Sequence, residues 1–160
     1  MTTLAGSVKS VETALDLAIR LEMAGKAFYE NAKAGTADEK LKKLLNFLIE
    51  QEVTHMERYK QLYERATGET VYQEALFGEY GMYMDLLVAD VSEKLAYNPS
   101  LSTADVLDIA IGFEKNSLLF FNEIQTLFSG QEAETVNDLC REEKKHIQLL
   151  LSLKRELEGK

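Results

Sequence analysis

The sequence predicts an all-α domain built as a four-helix bundle. Only one proline, Pro99, stands in 160 residues, so little in the chain interrupts a helix. Leu, Ala, Glu and Lys, which favour helices, recur at helical intervals through nearly all of it. A mass of 18.1 kDa with 46% hydrophobic residues is enough for one substantial core and small for two. We therefore expect residues 1–160 to form a single domain.

The first two predicted helices form an antiparallel hairpin. Helix A is expected over about Ser10–Ala34, with Gly35 as a left-handed cap because it has no Cβ. Helix B follows at once, with Thr36 or Asp38 as its N-cap, and stops near Gly68. Its buried face carries Leu41, Leu44, Leu45 and Leu48.

A second hairpin follows in the last third of the chain. Helix C begins after Ser102, where Ser-Thr-Ala-Asp places a cap before an acidic first turn, and runs to about Phe128. Gly130 breaks it, and helix D occupies about Gln131–Glu158. The two hairpins are thus separated by residues 67–101.

This crossover is too long and too rich in tyrosine and methionine for a structureless loop inside a domain. We expect it to contain a short helix at about Met84–Tyr97. Two helical hairpins joined by one long crossover form the ferritin-like topology of the four-helix bundle.

Each of the two histidines stands three residues after a glutamate, in the pairs Glu52 with His55 and Glu143 with His146. On a helix this spacing brings both side chains to one face, with Cβ atoms roughly 5–6 Å apart. A carboxylate and an imidazole so placed can bind one metal ion. Exposed Glu and His pairs with no metal also occur on helices, so the pairs alone leave both interpretations open.

An internal repeat favours the metal interpretation. Residues 15–22 match residues 107–114 at a constant offset of 92, and the second helices match at an offset of 91, from His55 to His146. The repeat aligns Glu22 with Glu114, and apolar residues flank both of them. A lone carboxylate buried in a bundle would be costly, so a compensating charge is expected.

Four glutamates and two histidines are the ligand set of di-iron and di-manganese carboxylate bundles, with one Glu from each of two helices and Glu-x-x-His from the other two. Two divalent cations balance four carboxylates. Hard oxygen ligands with two imidazoles suit iron or manganese better than zinc or copper. The predicted ligands are Glu22, Glu52, His55, Glu114, Glu143 and His146.

With these motifs the chain resembles the ferritin-like di-iron carboxylate proteins, and among them the rubrerythrin-like family. The resemblance covers both hairpins and includes Tyr29, seven residues after Glu22. It implies that Glu52 and Glu143 bridge two iron ions, with Glu22 and Glu114 as terminal ligands and one histidine on each ion. It also implies a non-haem oxidoreductase that reduces peroxide or oxygen.

Two departures from that family affect the expected function. The single cysteine, Cys140, leaves no Cys-x-x-Cys pair for a rubredoxin-like domain, so any electron donor is expected to act in trans, for example a rubredoxin-like protein. Cys140 itself is expected to be a small buried residue. Rubrerythrins also carry an extra glutamate where this chain has Ser117, whose repeat mate is Gly25. Two small residues predict a symmetric site with room for oxygen or peroxide beside the metals.

Three further residues are candidates for supporting roles. Tyr29 is two helical turns from Glu22 on the same face, where its hydroxyl can bond a carboxylate ligand or supply an electron, or where it simply packs. Gln51 and Glu142 each precede a predicted bridging glutamate. Either can orient a histidine of the opposite half, and a solvated polar face explains them equally well.

Charge and composition limit the partners. The 27 acidic and 18 basic residues give a net charge of -9, which disfavours nucleic acid and anionic membranes. Neither a signal segment nor a membrane-spanning apolar run is recognisable, and one cysteine suits a reducing compartment, so a cytoplasmic location is expected. A homodimer is expected because an apolar crossover leaves surface to bury.

Two other functions remain open at the level of sequence. The same ligands serve ferritin-like proteins that oxidise Fe(II) and store it as a mineral in a large shell. A helical scaffold without metal is the third possibility, and it leaves the duplicated ligand pattern unexplained. Manganese can replace iron with the same ligand preferences.

Overall fold

The structure, a computed structural model, describes residues 4–67 and 78–160. These residues form five helices joined by turns and loops, and they include no strand. The helices are α1 (Leu4–Gly35), α2 (Glu39–Thr67), α3 (Gly78–Lys94), α4 (Thr103–Gln125) and α5 (Gly130–Leu157). The predicted all-α class is confirmed. Residues 68–77 of the crossover lie outside the described residues, as do residues 1–3.

Two helical hairpins form the bundle. Helix α1 packs along α2, and α4 packs along α5. Contacts of α1 with α4 and of α2 with α5 join the hairpins, while α3 of the crossover lies against α1 and α4. The buried hydrophobic side chains of the described residues form one cluster between the helices. The predicted topology of two hairpins and a long crossover is therefore confirmed.

Capping residues set several of the helix ends. The Leu41 N–H donates to Oδ1 of Asp38 at 2.9 Å, so Asp38 rather than Thr36 caps α2. Ser102 and Asp105 bond each other's backbone N–H groups in a capping box, which confirms the predicted start of α4. Gly130, with φ of 60°, is the first residue of α5 and stands at the turn where the sequence predicted a break between the two helices.

Several predicted boundaries were wrong by a few residues. Helix α1 begins at Leu4 rather than near Ser10, because the preceding residues contain no proline to stop it. The crossover helix covers Gly78–Lys94 rather than Met84–Tyr97, and it ends in a turn in which the Leu95 N–H donates to the carbonyl of Ser92, the third preceding residue. Helix α4 ends at Gln125, where hydrogen bonds to the third preceding residue replace the α-helical pattern up to Phe128.

Gly35 has a different role from the one predicted. It is the last residue of α1, and the glycines with positive φ among the described residues are Gly130 and Gly159. A Cβ built on Gly35 would lie 1.7 Å from the hydroxyl oxygen of Tyr97. The absence of a Cβ here leaves the space that the end of the Tyr97 side chain occupies.

The described helices include none that is both long and apolar enough to cross a membrane.

Gly25 and Gly112 both lie inside helices and differ in their surroundings. A Cβ on Gly25 would lie 2.3 Å from Cζ of Phe113, a ring that is itself buried, whereas a Cβ on Gly112 would meet nothing within 4 Å. The first glycine therefore permits close packing of α1 on α4. The second leaves its helix weaker with no packing benefit.

Substituting these two glycines by alanine should change stability in opposite directions. Gly25→Ala forces the Phe113 ring to move and should lower the free energy of unfolding by about 1–3 kcal/mol. Gly112→Ala should raise it by about 0.5–1 kcal/mol through helix propensity alone. Urea denaturation of the two metal-free variants measures both, and equal effects would contradict the packing described at Gly25.

Candidate metal centre

Six charged or titratable side chains meet in the middle of the bundle. Helix α1 contributes one glutamate, α4 another, and α2 and α5 a glutamate and a histidine each. All six are buried, with at most 1% of any of them exposed. These residues are Glu22, Glu52, His55, Glu114, Glu143 and His146. The structure thus brings together the whole set of predicted ligands, which are separated by up to 124 residues in sequence.

Their oxygen and nitrogen atoms fall into two overlapping groups. In one group a ligand atom from each of Glu52, Glu114, Glu143 and His146 lies within 4.8 Å of all the others. In the second group the same holds for Glu22, Glu52 and His55. Glu52 belongs to both groups. This geometry offers places for two ions that share a carboxylate.

The imidazole of His55 is held at both ring nitrogens. Nδ1 is 3.0 Å from Oε2 of Glu22 and 3.0 Å from Oε1 of Glu143, while Nε2 is 2.8 Å from Oε2 of Glu142. Burial alone would lower the pKa of His55, but hydrogen bonds to Glu142 and Glu143 outweigh it and raise the pKa to about 10. Without a metal this histidine is therefore an imidazolium ion at neutral pH.

His146 has weaker contacts. Its Nδ1 is 3.6 Å from Oε2 of Glu114 and 3.7 Å from Oε2 of Glu143, which is too long for a hydrogen bond. Its ring stacks on that of His55 with centroids 5.4 Å apart, and the ring of Phe47 stands edge-on to it at 6.0 Å. Burial opposes the charged form, yet the neighbouring Glu114 and Glu143 raise the pKa of His146 to about 10.

The buried carboxylates repel each other. Burial, followed by the charge of neighbouring carboxylates, raises the pKa of Glu22 and of Glu52 well above the ordinary value, and that of Glu114 to about 8. Burial acts in the same direction on Glu143, but its interactions with Glu114 and with the two neighbouring histidines outweigh burial and lower its pKa. The carboxylates thus carry a full negative charge together only if positive charge is added between them.

Several of these oxygen atoms have no hydrogen-bond partner within the described residues. They include both oxygens of Glu52, Oε1 of Glu22 and Oε2 of Glu114. Buried carboxylate oxygens without a partner are rare in folded proteins because each has lost its hydration. Metal ions between the two groups would supply both the missing partners and the missing positive charge, so the residues present fit a pair of divalent cations.

Tyr29 contacts a carboxylate of the opposite hairpin. Its hydroxyl donates a 2.6 Å hydrogen bond to Oε1 of Glu114, and the side chain is fully buried. Burial and the charge of Glu114 raise the pKa of Tyr29 well above its ordinary value, so the hydroxyl keeps its proton and remains a donor. Tyr29 thus orients a predicted ligand, although that ligand is Glu114 rather than the nearby Glu22.

Two residues near the centre were not predicted from the sequence. Arg58 donates from Nη1 to Oε1 of Glu142 at 2.9 Å, and Glu142 in turn bonds His55. Tyr59 is fully buried against the ring of Phe121, and its hydroxyl has no partner among the described residues. Arg58 follows His55 by three residues on the same helix, and that spacing is the signal that would have identified it.

Three small residues at or near the centre, Gly25, Ser117 and Cys140, differ in their surroundings. The room expected beside Gly25 is absent because the ring of Phe113 occupies it. Ser117 is fully buried, and its hydroxyl has no hydrogen-bond partner in the described part of the chain. Cys140 is buried as predicted, and burial raises the pKa of its thiol to about 11, so it is an unreactive small residue.

The chain is similar to known proteins in sequence and in fold. The family model described as Rubrerythrin matches residues 12–154. The chain is also similar in structure to a Thermotoga maritima protein that is provisionally assigned as a ferritin-like diiron-carboxylate protein, with 26% identity and a TM-score of 0.68. That match covers 91% of this chain and 95% of the other. None of the curated proteins matches this chain significantly.

The two buried tyrosines should respond differently to loss of the hydroxyl. Tyr29→Phe removes the donor to Oε1 of Glu114 and leaves a buried acceptor unpaired, which should lower the free energy of unfolding of the metal-free protein by about 1–3 kcal/mol. Tyr59→Phe removes a hydroxyl with no partner and should change it little or raise it slightly. Urea denaturation at neutral pH compares them, and an equal loss in both variants would contradict the hydrogen bond assigned to Tyr29.

Proposed function

Since this chain belongs to the rubrerythrin family, we propose that its buried glutamates and histidines bind two iron ions and that the loaded protein reduces hydrogen peroxide or oxygen. The observation that carries this proposal is the cluster of six buried side chains whose ligand atoms form two groups within 4.8 Å. Unpartnered oxygens in both groups support it. Manganese would fit the same donor atoms.

The residues have distinct proposed roles as ligands. Glu52 belongs to both groups of ligand atoms, and Glu143 lies near both histidines, which supports bridging roles for these two carboxylates. Glu22 with His55 would then complete one metal position. Glu114 with His146 would complete the other.

When bound, two ferrous ions would supply the two electrons that, with two protons, convert hydrogen peroxide to two water molecules. The chain itself excludes bulk water, because the ligands are buried among apolar helices. Tyr29 holds Glu114 in place through its hydroxyl. Ser117, one turn after Glu114 on the same buried helix face, offers a free hydroxyl that can donate a hydrogen bond to the substrate.

Two partners are proposed, an electron donor and a second copy of the chain. We propose that the electrons come from a donor in trans, such as a rubredoxin-like protein, and that the protein acts in the cytoplasm. On α3, Met82 and Leu86 are one turn apart and expose 65% and 64% of their surface, which supports a homodimer formed through the crossover. Light scattering of the purified protein measures the mass of the assembly.

Metal binding should stabilise the fold. Anaerobic addition of Fe(II), or of Mn(II) in air, should raise the free energy of unfolding by about 2.7 kcal/mol per position at a free metal concentration about 100 times Kd. Glu52→Gln keeps the shape but cannot bridge as an anion, so it should lose most of this gain. Glu57→Gln makes the same charge change at an exposed position of α2 and should keep it. Thermal denaturation with and without metal tests this.

Reactivity separates the two candidate activities. The protein loaded anaerobically with Fe(II) should hold two irons per chain, oxidise faster on stopped-flow mixing with hydrogen peroxide than with oxygen, and return to the ferrous state with added reductant. Many irons per chain in a large shell, with turnover on excess Fe(II), would instead show the storage activity. No bound metal after loading with Fe(II) or Mn(II) would refute both.

A further inference from the structure

The two histidines of the centre differ at the nitrogen that points away from the carboxylates. Nε2 of His55 is 2.8 Å from Oε2 of Glu142. Nε2 of His146 is buried and has no hydrogen-bond partner among the described residues. Both rings turn Nδ1 toward the glutamates, so the two histidines offer the same donor atom to a metal. They differ in whether Nε2, the other ring nitrogen, has a hydrogen-bond partner.

Glu142 is itself fixed by a second ion pair. One oxygen accepts from His55, and the other accepts from Nη1 of Arg58 at 2.9 Å. Because each of its two oxygens is bonded to a different side chain, the Glu142 carboxylate is held in one orientation. With a metal bound, it would keep the proton of the His55 imidazole on Nε2 and leave the Nδ1 lone pair facing the glutamates.

The internal repeat shows that this arrangement is confined to one half of the molecule. At the offset of 91 residues that relates α2 to α5, Glu142 corresponds to Gln51 and Arg58 corresponds to Leu149. The second half therefore has a neutral amide and an apolar side chain where the first histidine has a carboxylate and a guanidinium. In the structure, Gln51 makes no hydrogen bond to either ring nitrogen of His146.

We infer that the two metal positions are unequal, and that the position formed with His55 and Glu22 binds its ion more tightly and fills first. This inference rests on the proposed binding of two metals. An imidazole that donates to a carboxylate is a more basic and better oriented ligand than one whose second nitrogen has no partner. Glu142 and Arg58 are thus positioning residues, which act on the metal through His55.

The test is a titration of the metal-free protein with Mn(II), in which isothermal titration calorimetry measures the heat of binding. The wild-type chain should bind two Mn(II) ions in separate steps with affinities at least about tenfold apart. Glu142→Gln, which copies the residue of the other half, should weaken the tighter step by about 10–100-fold and leave the weaker step unchanged. Arg58→Leu, which copies Leu149, keeps the carboxylate and should produce a smaller loss at the same step.

Histidine variants assign the two steps. His55→Ala should remove the tighter step, and His146→Ala should remove the weaker one. Circular dichroism and thermal denaturation of each metal-free variant establish that it is folded. If Glu142→Gln does not fold, Arg58→Leu provides the same test from the other end of the ion pair.

The outcomes separate this inference from the function on which it rests. Two Mn(II) ions bound with equal affinity, or a tighter step that persists unchanged in both Glu142→Gln and Arg58→Leu, would overturn the inference and leave the two-metal function standing. A tighter step lost in His146→Ala rather than His55→Ala would also overturn it. Absence of Mn(II) binding by the wild-type chain would refute the proposed function itself.

Discussion

Four carboxylates and two imidazoles buried at one point constrain the rest of this molecule. Each buried carboxylate has lost its hydration, and the charges of its neighbours oppose its ionisation. The pKa values of Glu22, Glu52 and Glu114 are raised for these two reasons. A cluster of this kind is costly to a fold without compensating cations, and it becomes favourable when cations are bound. The helices must nevertheless present all six side chains to the same place.

The bundle meets this requirement through helices held by local and apolar interactions. Asp38 and the capping box of Ser102 fix where two of the ligand-bearing helices begin. The glutamate and histidine of α2, like those of α5, are three residues apart and so reach the centre from one helix face. Aromatic rings then fill the space between the hairpins, and Phe113 of α4 packs on Gly25 of α1. The position of the ligands thus depends on packing some distance from them.

Sequence periodicity predicted the helices, and the Glu-x-x-His spacing together with the internal repeat identified all six candidate ligands. A helix face is visible in a pattern of 3.6 residues, and the repeat identified Glu22 and Glu114 as equivalent buried residues. Periodicity says which face is buried and leaves open which neighbour fills the space next to it. Phe113 occupies the space beside Gly25, where the sequence suggested room for oxygen or peroxide. Gly35 accommodates Tyr97, where the sequence suggested a left-handed helix cap. Such contacts join residues far apart in the chain.

Sequence patterns also leave open which partners the polar residues around the ligands contact. Tyr29 was recognised as facing the centre, but its partner Glu114 is 85 residues away in the other hairpin. For Glu142 the sequence left two interpretations open, a residue that orients a histidine and a residue of a solvated polar face. The short distance from its carboxylate to the His55 ring favours the first. The spacing of Arg58 from His55 places both on one face of α2, but its partner Glu142 lies on α5, so the ion pair itself depends on how the two helices pack.

The two halves keep the same ligands and differ in what surrounds them. The repeat mate of Tyr29 is Phe121, which has no hydroxyl to donate, and the mate of Glu142 is Gln51. Metal coordination requires the same donor atoms on both sides, whereas packing and hydrogen bonding around those atoms can be met in several ways. The His55 side is linked through Glu142 to the partly exposed Arg58, while the ring of Phe47 stands over His146. Because a carboxylate and a guanidinium lie beside His55 and an aromatic ring lies beside His146, the two proposed metal positions differ in electrostatic environment within a nearly symmetric set of candidate ligands.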